Sequence, residues 1–524
     1  MKQFTKRIFP MLLAVLMILP ALAGCNAAGK ADSEADAPLI DGNDLYYEAA
    51  ADINAAGPQE ESGETDEENA LPENAFIDTS RLNVSTFSAD VDTASYTFFR
   101  KTVNNLVSQK ANQAAILKRL NSYASSFRTE EFLNYFRYSA NMPGEEELFG
   151  VTSAIAPCPW NPENYLLRLT LQAPLTVTEG GNNLVFLIDV SGSMASEDKL
   201  PLLKTAFSYL VGQLTAEDRV SIVTYSGKED VILSGCPGND QQKILDAVNG
   251  LTAHGSTNGE AGLQKAYQIA ADWRIVGGNN RIIMASDGDL NVGISSETEL
   301  KSYIETKRDE GIFLSVLGFG GGNYRDSKME ALADNGNGVY YYIDGESEAK
   351  KVFGTDLIST LYTVAKDVKL QLTFDPTYIT AFRQIGYENR LLQQEDFDDD
   401  TKDAGEVGAG HQVTVFYELK LSENATKKDA DATAEWMKLA IRYKEPEGDV
   451  SKLNEYSIGA ADCKDPDSDF RFMVCVIETV MVLRNSRYLG DITIETVLAQ
   501  LKGLDLDGFT DRAEFRSLIN AIAG

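Results

Sequence analysis

The hexapeptide Asp189-Val190-Ser191-Gly192-Ser193-Met194 sets one carboxylate and two hydroxyls at alternate positions of a short run. On a chain leaving a strand, alternate side chains point the same way, so these three oxygens could converge on one point. Two more oxygen donors stand in comparable surroundings: Thr257 in Gly255-Ser256-Thr257-Asn258 and Asp287 in Ser286-Asp287-Gly288-Asp289. Oxygen-only donors suit a hard cation, Mg²⁺ or else Mn²⁺ or Ca²⁺, and not zinc or copper. Three neutral hydroxyls and only two carboxylates leave one such ion under-neutralised compared with a cage of four carboxylates, and Mg²⁺ keeps exchangeable waters. An open place on that ion would accept an Asp or Glu carboxylate from a partner protein. This is binding chemistry, in which no bond is made or broken.

Other chemistries have little material. His254 and His411 are the only histidines in 524 residues, too few for a histidine-based triad or an HExxH zinc site. No GxSxG elbow, GxxxxGK[ST] loop or CxxC pair occurs. A metal-assisted hydrolase acting on phosphate or ester substrates through an ion at Asp189 is the second reading, and it lacks a general base. Asp396, Asp398 and Asp400 begin like a calcium loop, but Thr401 replaces its glycine and Val407 its bidentate Glu. The formal net charge of -32 repels nucleic acid and anionic surfaces, so neither is an expected partner.

For three separate loops to meet, they must leave the same end of neighbouring strands. Residues 184–189 (LVFLID) and 281–286 (RIIMAS) are continuous apolar runs of the buried parallel kind, and 220–225, 231–233, 313–318 and 339–343 also read as strands. Between them Leu203, Ala206, Phe207, Leu210 and Val211 fall at helical spacing, as do Leu263, Ala266, Tyr267 and Ala270. Repeated strand–helix units predict an α/β fold over residues 181–365: a doubly wound, mostly parallel, Rossmann-like sheet. Its ligands bind beyond the strand carboxyl ends, where the strand order reverses. Alternating runs at 151–156 and 165–171 lie before this block, and others at 368–374, 413–419 and 437–443 lie after it. Neither set is large enough for a stable sandwich. Residues 76–180 and 366–524, which also carries three helical stretches, are therefore expected to pack together as one discontinuous α+β, sandwich-like domain.

The start of the chain gives an address. Lys2, Lys6 and Arg7 precede an apolar run over 8–23, too short and too broken by Pro10 and Pro20 to span a membrane. Leu22-Ala23-Gly24-Cys25 resembles a bacterial lipobox, which implies a signal peptide over 1–24, cleavage before Cys25 and acylation of its thiol. The expected location is extracytoplasmic, lipid-anchored to a bacterial cell membrane. Residues 25–75 are rich in Ala, Asp, Glu, Asn and Gly and read as an acidic disordered tether reaching about 40 Å. The other cysteines, Cys158, Cys236, Cys463 and Cys475, are too scattered for a disulfide framework, and Cys475 reads as a buried thiol.

Asp-x-Ser-x-Ser with a distant Thr and a distant Asp resembles the metal-ion-dependent adhesion site of von Willebrand factor A (VWA) domains. The resemblance implies direct ligation by Ser191, Ser193 and Thr257, with Asp189 and Asp287 acting directly or through water. The flanks narrow it. Ser-Ala-Asp-Val-Asp-Thr-Ala-Ser-Tyr at 88–96, Glu-Glu-Phe-Leu-Asn-Tyr-Phe at 130–136, Ile-Gly-Tyr-Glu-Asn-Arg at 385–390 and the run from Asp403 to His411 resemble the YfbK-type bacterial lipoproteins. That likeness covers nearly everything after the tether; it specifies architecture well and activity poorly.

Overall fold

A computed structural model describes residues 72–145, 147–175, 180–256, 259–288, 297–320, 326–356, 362–427, 431–446, 448 and 450–524. The expected signal peptide, Cys25 and nearly all of the tether lie outside the described residues, as does Thr257. The described residues before the strand–helix block hold β1 (Ile77–Asp78), β2 (Val84–Ser88), α1 (Ala94–Ser108), α2 (Gln113–Asn121), α3 (Thr129–Tyr135), β3 (Gly150–Pro157) and β4 (Tyr165–Gln172). The strand–helix block follows as β5 (Asn182–Asp189), α4 (Leu200–Val211), β6 (Arg219–Tyr225), β7 (Glu229–Pro237), α5 (Gln241–Asn249), α6 (Gly259–Asp272), β8 (Asn279–Ser286), α7 (Glu297–Asp309), β9 (Phe313–Phe319), α8 (Asp326–Asn335), β10 (Tyr340–Ile343) and α9 (Glu346–Lys351).

The strands of this block form one sheet in the order β10-β9-β8-β5-β6-β7, parallel throughout except for β7 at the edge. Every residue of β5 is buried, which explains why its sequence is apolar without alternation: both of its faces are covered. Leu184, Phe186 and Ile188 pack under α4 and α5 with Leu203, Phe207, Leu210, Ile244 and Val248. Val185 and Leu187 lie in the opposite layer with Leu263, Ala266 and Tyr267 of α6. Each such side chain contributes about 2 kcal/mol on burial, so the two helical layers fix β5 in the middle of the sheet.

After the sheet come β11 (Thr363–Phe374), β12 (Ile379–Ile385), β13 (Gly405–Gly408), β14 (Gln412–Leu421), β15 (Glu435–Lys444) and β16 (Lys452–Gly459), then α10 (Ser468–Leu483), α11 (Ile494–Lys502) and α12 (Thr510–Ala523). They share sheets with the early strands. One antiparallel sheet runs β1-β12-β14-β4-β3; the other runs β13-β11-β15-β16, with β2 also paired to β11. Leu167, Leu169 and Leu171 of β4 meet Leu370, Leu372, Leu439 and Ile441 between the two sheets. The opposite face of β4 and β14 is covered by helix, with Phe416 edge-on to Phe470 at 5.5 Å between ring centres.

Asp90 and Asp92 read from the sequence as caps of α1, with a second cation site as the sharper alternative. The Thr93 cap position makes no side-chain bond, and both carboxylates instead meet Arg390. That guanidinium lies 3.2 Å from Asp90, 3.3 Å from Asp92, 3.7 Å from Glu330 and 2.9 Å from Asp334, while Arg128 pairs with Glu330 and, at 2.9 Å, with Glu131. Burial pushes Asp92 and Glu330 well above the usual carboxylate range, helped by crowding of like charge and opposed by the arginines. Arg390 thus ties the segment before the sheet, α8 of the sheet and the segment after it.

Cys158, Cys236 and Cys475 are buried, Cys463 is exposed, and all four are free thiols. Near Cys475 on α10, Glu478 is fully buried; its Oε2 accepts from Gln500 at 2.9 Å and its Oε1 has no partner among the described residues. Burial pushes its carboxyl up to about 7. A folded pKa raised above the unfolded value gives stability that is full below about pH 4.5 and lost as pH rises through about 7. Glu478→Gln is therefore expected to raise stability at pH 8 by about 2–3 kcal/mol and to change it little at pH 5. Urea midpoints at the two pH values check this; an equal effect at both would contradict it.

Candidate metal centre

β5 ends on Asp189, and the chain then enters a short 3₁₀ turn at Gly192–Ala195 before α4. Asp189 is fully buried and Ser191 nearly so, while Ser193 is exposed. The Asp189 Oδ1 accepts the Ser191 backbone N–H at 2.7 Å, which folds the loop back over its own strand end. The Ser191 and Ser193 hydroxyl oxygens then lie 2.9 Å apart. Met194, fully buried beneath the turn, anchors it to the apolar layer under α4.

β8 is hydrogen-bonded to β5, and Asp287 follows its last residue. The side chain is buried, and the neighbouring Gly288 N–H donates to the Ser286 hydroxyl at 3.2 Å. Asp189 and Asp287 therefore leave adjacent parallel strands, whose spacing is about 4.8 Å. The third loop is clamped to the first: the His254 N–H donates to the Val190 carbonyl at 2.7 Å and the Gly192 N–H to the Gly255 carbonyl at 3.1 Å. These bonds hold the loop two residues short of Thr257 against the Asp189 loop.

Three contributors carry no motif. Tyr225, the last residue of β6, stands in register with Asp189; burial and then the Asp189 charge raise its pKa well above the usual range, so it remains a neutral phenol beside Asp189 and Ser286. Only strand register brings it there. Lys199 sends its ammonium 2.8 Å from the Asp287 Oδ2 and 3.0 Å from the Ser193 carbonyl. Gly320, at φ +83°, makes room for it: a Cβ there would meet the Lys199 Cε at 2.2 Å. Beside the loop a cleft of about 650 Å³ opens between α1 and α4, lined by Lys101, Asn104, Asn105, Ser196, Asp198, Lys199 and Asp344.

The His254 ring is exposed and bonds the Thr252 carbonyl at 2.8 Å, and burial depresses His411 to about 3. Among the described residues no three His, Cys, Asp or Glu side chains gather as a metal cage. The Asp189 loop set instead combines hydroxyls with carboxylates. The arrangement already stabilises one positive charge, the Lys199 ammonium on Asp287.

A doubly wound sheet whose first strand ends in Asp-x-Ser-x-Ser, beside a second strand ending in Asp, defines a VWA-type protein, a class built for protein–protein contact. The family model described as von Willebrand factor type A domain matches residues 183–355. Those described as von Willebrand factor and as Uncharacterized protein YfbK, C-terminal, match 62–168 and 359–524. The protein described as Uncharacterized protein YfbK of Escherichia coli (strain K12) is 38% identical over 465 residues, 84% of this chain and 78% of that one. The chain belongs to the YfbK family. Inter-alpha-trypsin inhibitor heavy chain H3 of Mesocricetus auratus is 29% identical over 177 residues, 32% of this chain and 20% of that one. A solved von Willebrand factor type A structure from Catenulispora acidiphila is 15% identical with a TM-score of 0.39, covering 74% of this chain and 98% of that one.

Proposed function

We propose that this protein is an extracytoplasmic, lipid-anchored binding module that grips an acidic residue of a partner protein through one divalent metal ion. The observation that carries the reading is the pair of hydroxyls 2.9 Å apart beside buried Asp189, with buried Asp287 on the neighbouring strand end. Ser191, Ser193 and Thr257 would hold the ion directly, and Asp189 and Asp287 directly or through water. Mg²⁺ fits this all-oxygen set, with Mn²⁺ or Ca²⁺ as substitutes. When bound, it would offer one open coordination place to a carboxylate.

The chain's own groups prepare that encounter. Asp189 fixes the loop through its bond to the Ser191 N–H, and neutral Tyr225 supports the carboxylate without adding charge. The cleft beside the loop carries Lys101 and Lys199 together with Asp198 and Asp344, and each lysine is paired, Lys101 with Asp198 at 3.0 Å and Lys199 with Asp287 at 2.8 Å, so no bare charge among these described residues repels a partner carboxylate. Acylation at Cys25 would tie the protein to a membrane through the tether, and among the described residues no helix is long and apolar enough to cross one.

A membrane-impermeant crosslinker on intact cells tests the reading. Partner capture is expected with Mg²⁺, is expected to vanish in EDTA and to return when Mg²⁺ is restored. Capture unchanged by EDTA would overturn the metal-bridged mechanism. Reagent that fails to reach the protein until cells are broken would overturn the location.

A further inference from the structure

Lys199 is a cation built into the candidate metal centre. It stands ten residues beyond Asp189, at the start of α4, and its ammonium bridges the buried Asp287 carboxylate and the Ser193 carbonyl. The side chain is mostly covered, at 16% exposure. Its stem runs over Gly320, where any larger residue would strike Lys199 Cε, Cδ and Cγ. The Gly320 carbonyl accepts from the Tyr342 hydroxyl, which fixes that backbone in place. A surface lysine that happens to lean on a carboxylate has no such slot; isolated exposed pairs are weak and interchangeable.

We propose that Lys199 is the resident counter-cation of Asp287: it weakens the hold of this centre on a divalent ion and strengthens the pull of the loaded centre on a partner's carboxylate. The inference rests on the metal-centre reading above. With Asp189 and Asp287 ionised and Lys199 charged, the side chains carry one net negative charge in place of two. The centre therefore attracts a divalent cation less than the two carboxylates alone would. Once loaded, the same lysine leaves the assembly with a net positive charge, where two carboxylates alone would bring it to neutrality. An incoming Asp or Glu then meets an electropositive target.

Calorimetry with MnCl₂ and MgCl₂ on the purified soluble chain tests this, using Lys199→Met, which keeps the stem, Lys199→Gln, which keeps a polar head, and Lys199→Arg, which keeps the charge. The two neutral variants are expected to bind metal about tenfold more tightly, the scale on which a unit charge within about 4–6 Å shifts an ionic equilibrium. Lys199→Arg is expected to stay near the wild type. Mg²⁺-dependent partner capture is expected to fall severalfold in the neutral variants, opposite in direction to their metal affinity. A merely structural lysine would lower both. Neutral variants that bind metal no more tightly than a wild type that does bind would overturn the role of Lys199. A wild type and variants that all fold, by circular dichroism, yet take up no metal would overturn the metal-centre reading and this inference with it.

Discussion

Asp189→Asn is expected to lower the affinity of the purified chain for Mg²⁺ or Mn²⁺ by at least about a hundredfold, equivalent to about 2.7 kcal/mol. Asp189 is the one fully buried carboxylate at the centre, so its charge acts where solvent screens least. The substitution isolates that charge from the loop's shape, because an Asn Oδ1 can still accept the Ser191 N–H that folds the turn. It also removes a buried negative charge lying near Asp287. The metal-free variant is therefore expected to unfold at the same urea concentration as the wild type or a higher one. Calorimetry and urea unfolding together separate the outcomes. Lost metal uptake with retained stability supports the centre, and unchanged uptake would remove Asp189 from it.

The second large effect is on stability. Arg390→Met is expected to cost about 3–5 kcal/mol, because it strands the buried carboxylates of Asp90, Asp92 and Glu330, and half-buried Asp334, without their shared cation. Methionine refills the volume, so the loss reports charge and not a cavity. Glu330 keeps Arg128, which limits the damage on that side. The pH dependence has a definite sign. Burial already raises Asp92, Glu330 and Asp334, and without Arg390 these three are displaced further upward, so the folded state holds protons that the unfolded chain releases. The deficit is then smallest near pH 5 and grows as pH rises toward 8. Arg471→Met, at an exposed position of α10, serves as the control, with an expected change within about 0.5 kcal/mol. A deficit no larger than that control would show that the cluster does not bind the three segments together.

Much of the fold is legible in residue order because local physics dictates it. The run over 184–189 has no alternation since both faces of β5 are covered, and the stripe Leu203, Phe207, Leu210 is helical since one face of α4 is. The antiparallel runs on either side of the sheet announce strands by their alternation, but their partners lie about 250 residues away in the chain, as for Leu167 and Tyr417. Only the paired sheets show which strand meets which. α10 starts at Ser468, where the Asp467 side chain accepts the Phe470 N–H and caps it.

By itself the sequence determined the types of donor at the candidate centre and the strand ends that carry them: hydroxyls and carboxylates at Asp189, Ser191, Ser193, Thr257 and Asp287 are covalent facts, and apolar runs mark the strands before two of those loops. Tertiary structure decided which charges those donors face. Tyr225 reaches Asp189 through strand register, Lys199 reaches Asp287 across 88 positions in sequence, and Gly320 opens the slot from a third strand end. None of the three has a local signature, because electrostatic partnership depends on distance in space, and that distance exists only once β5, β6, β8 and β9 lie side by side.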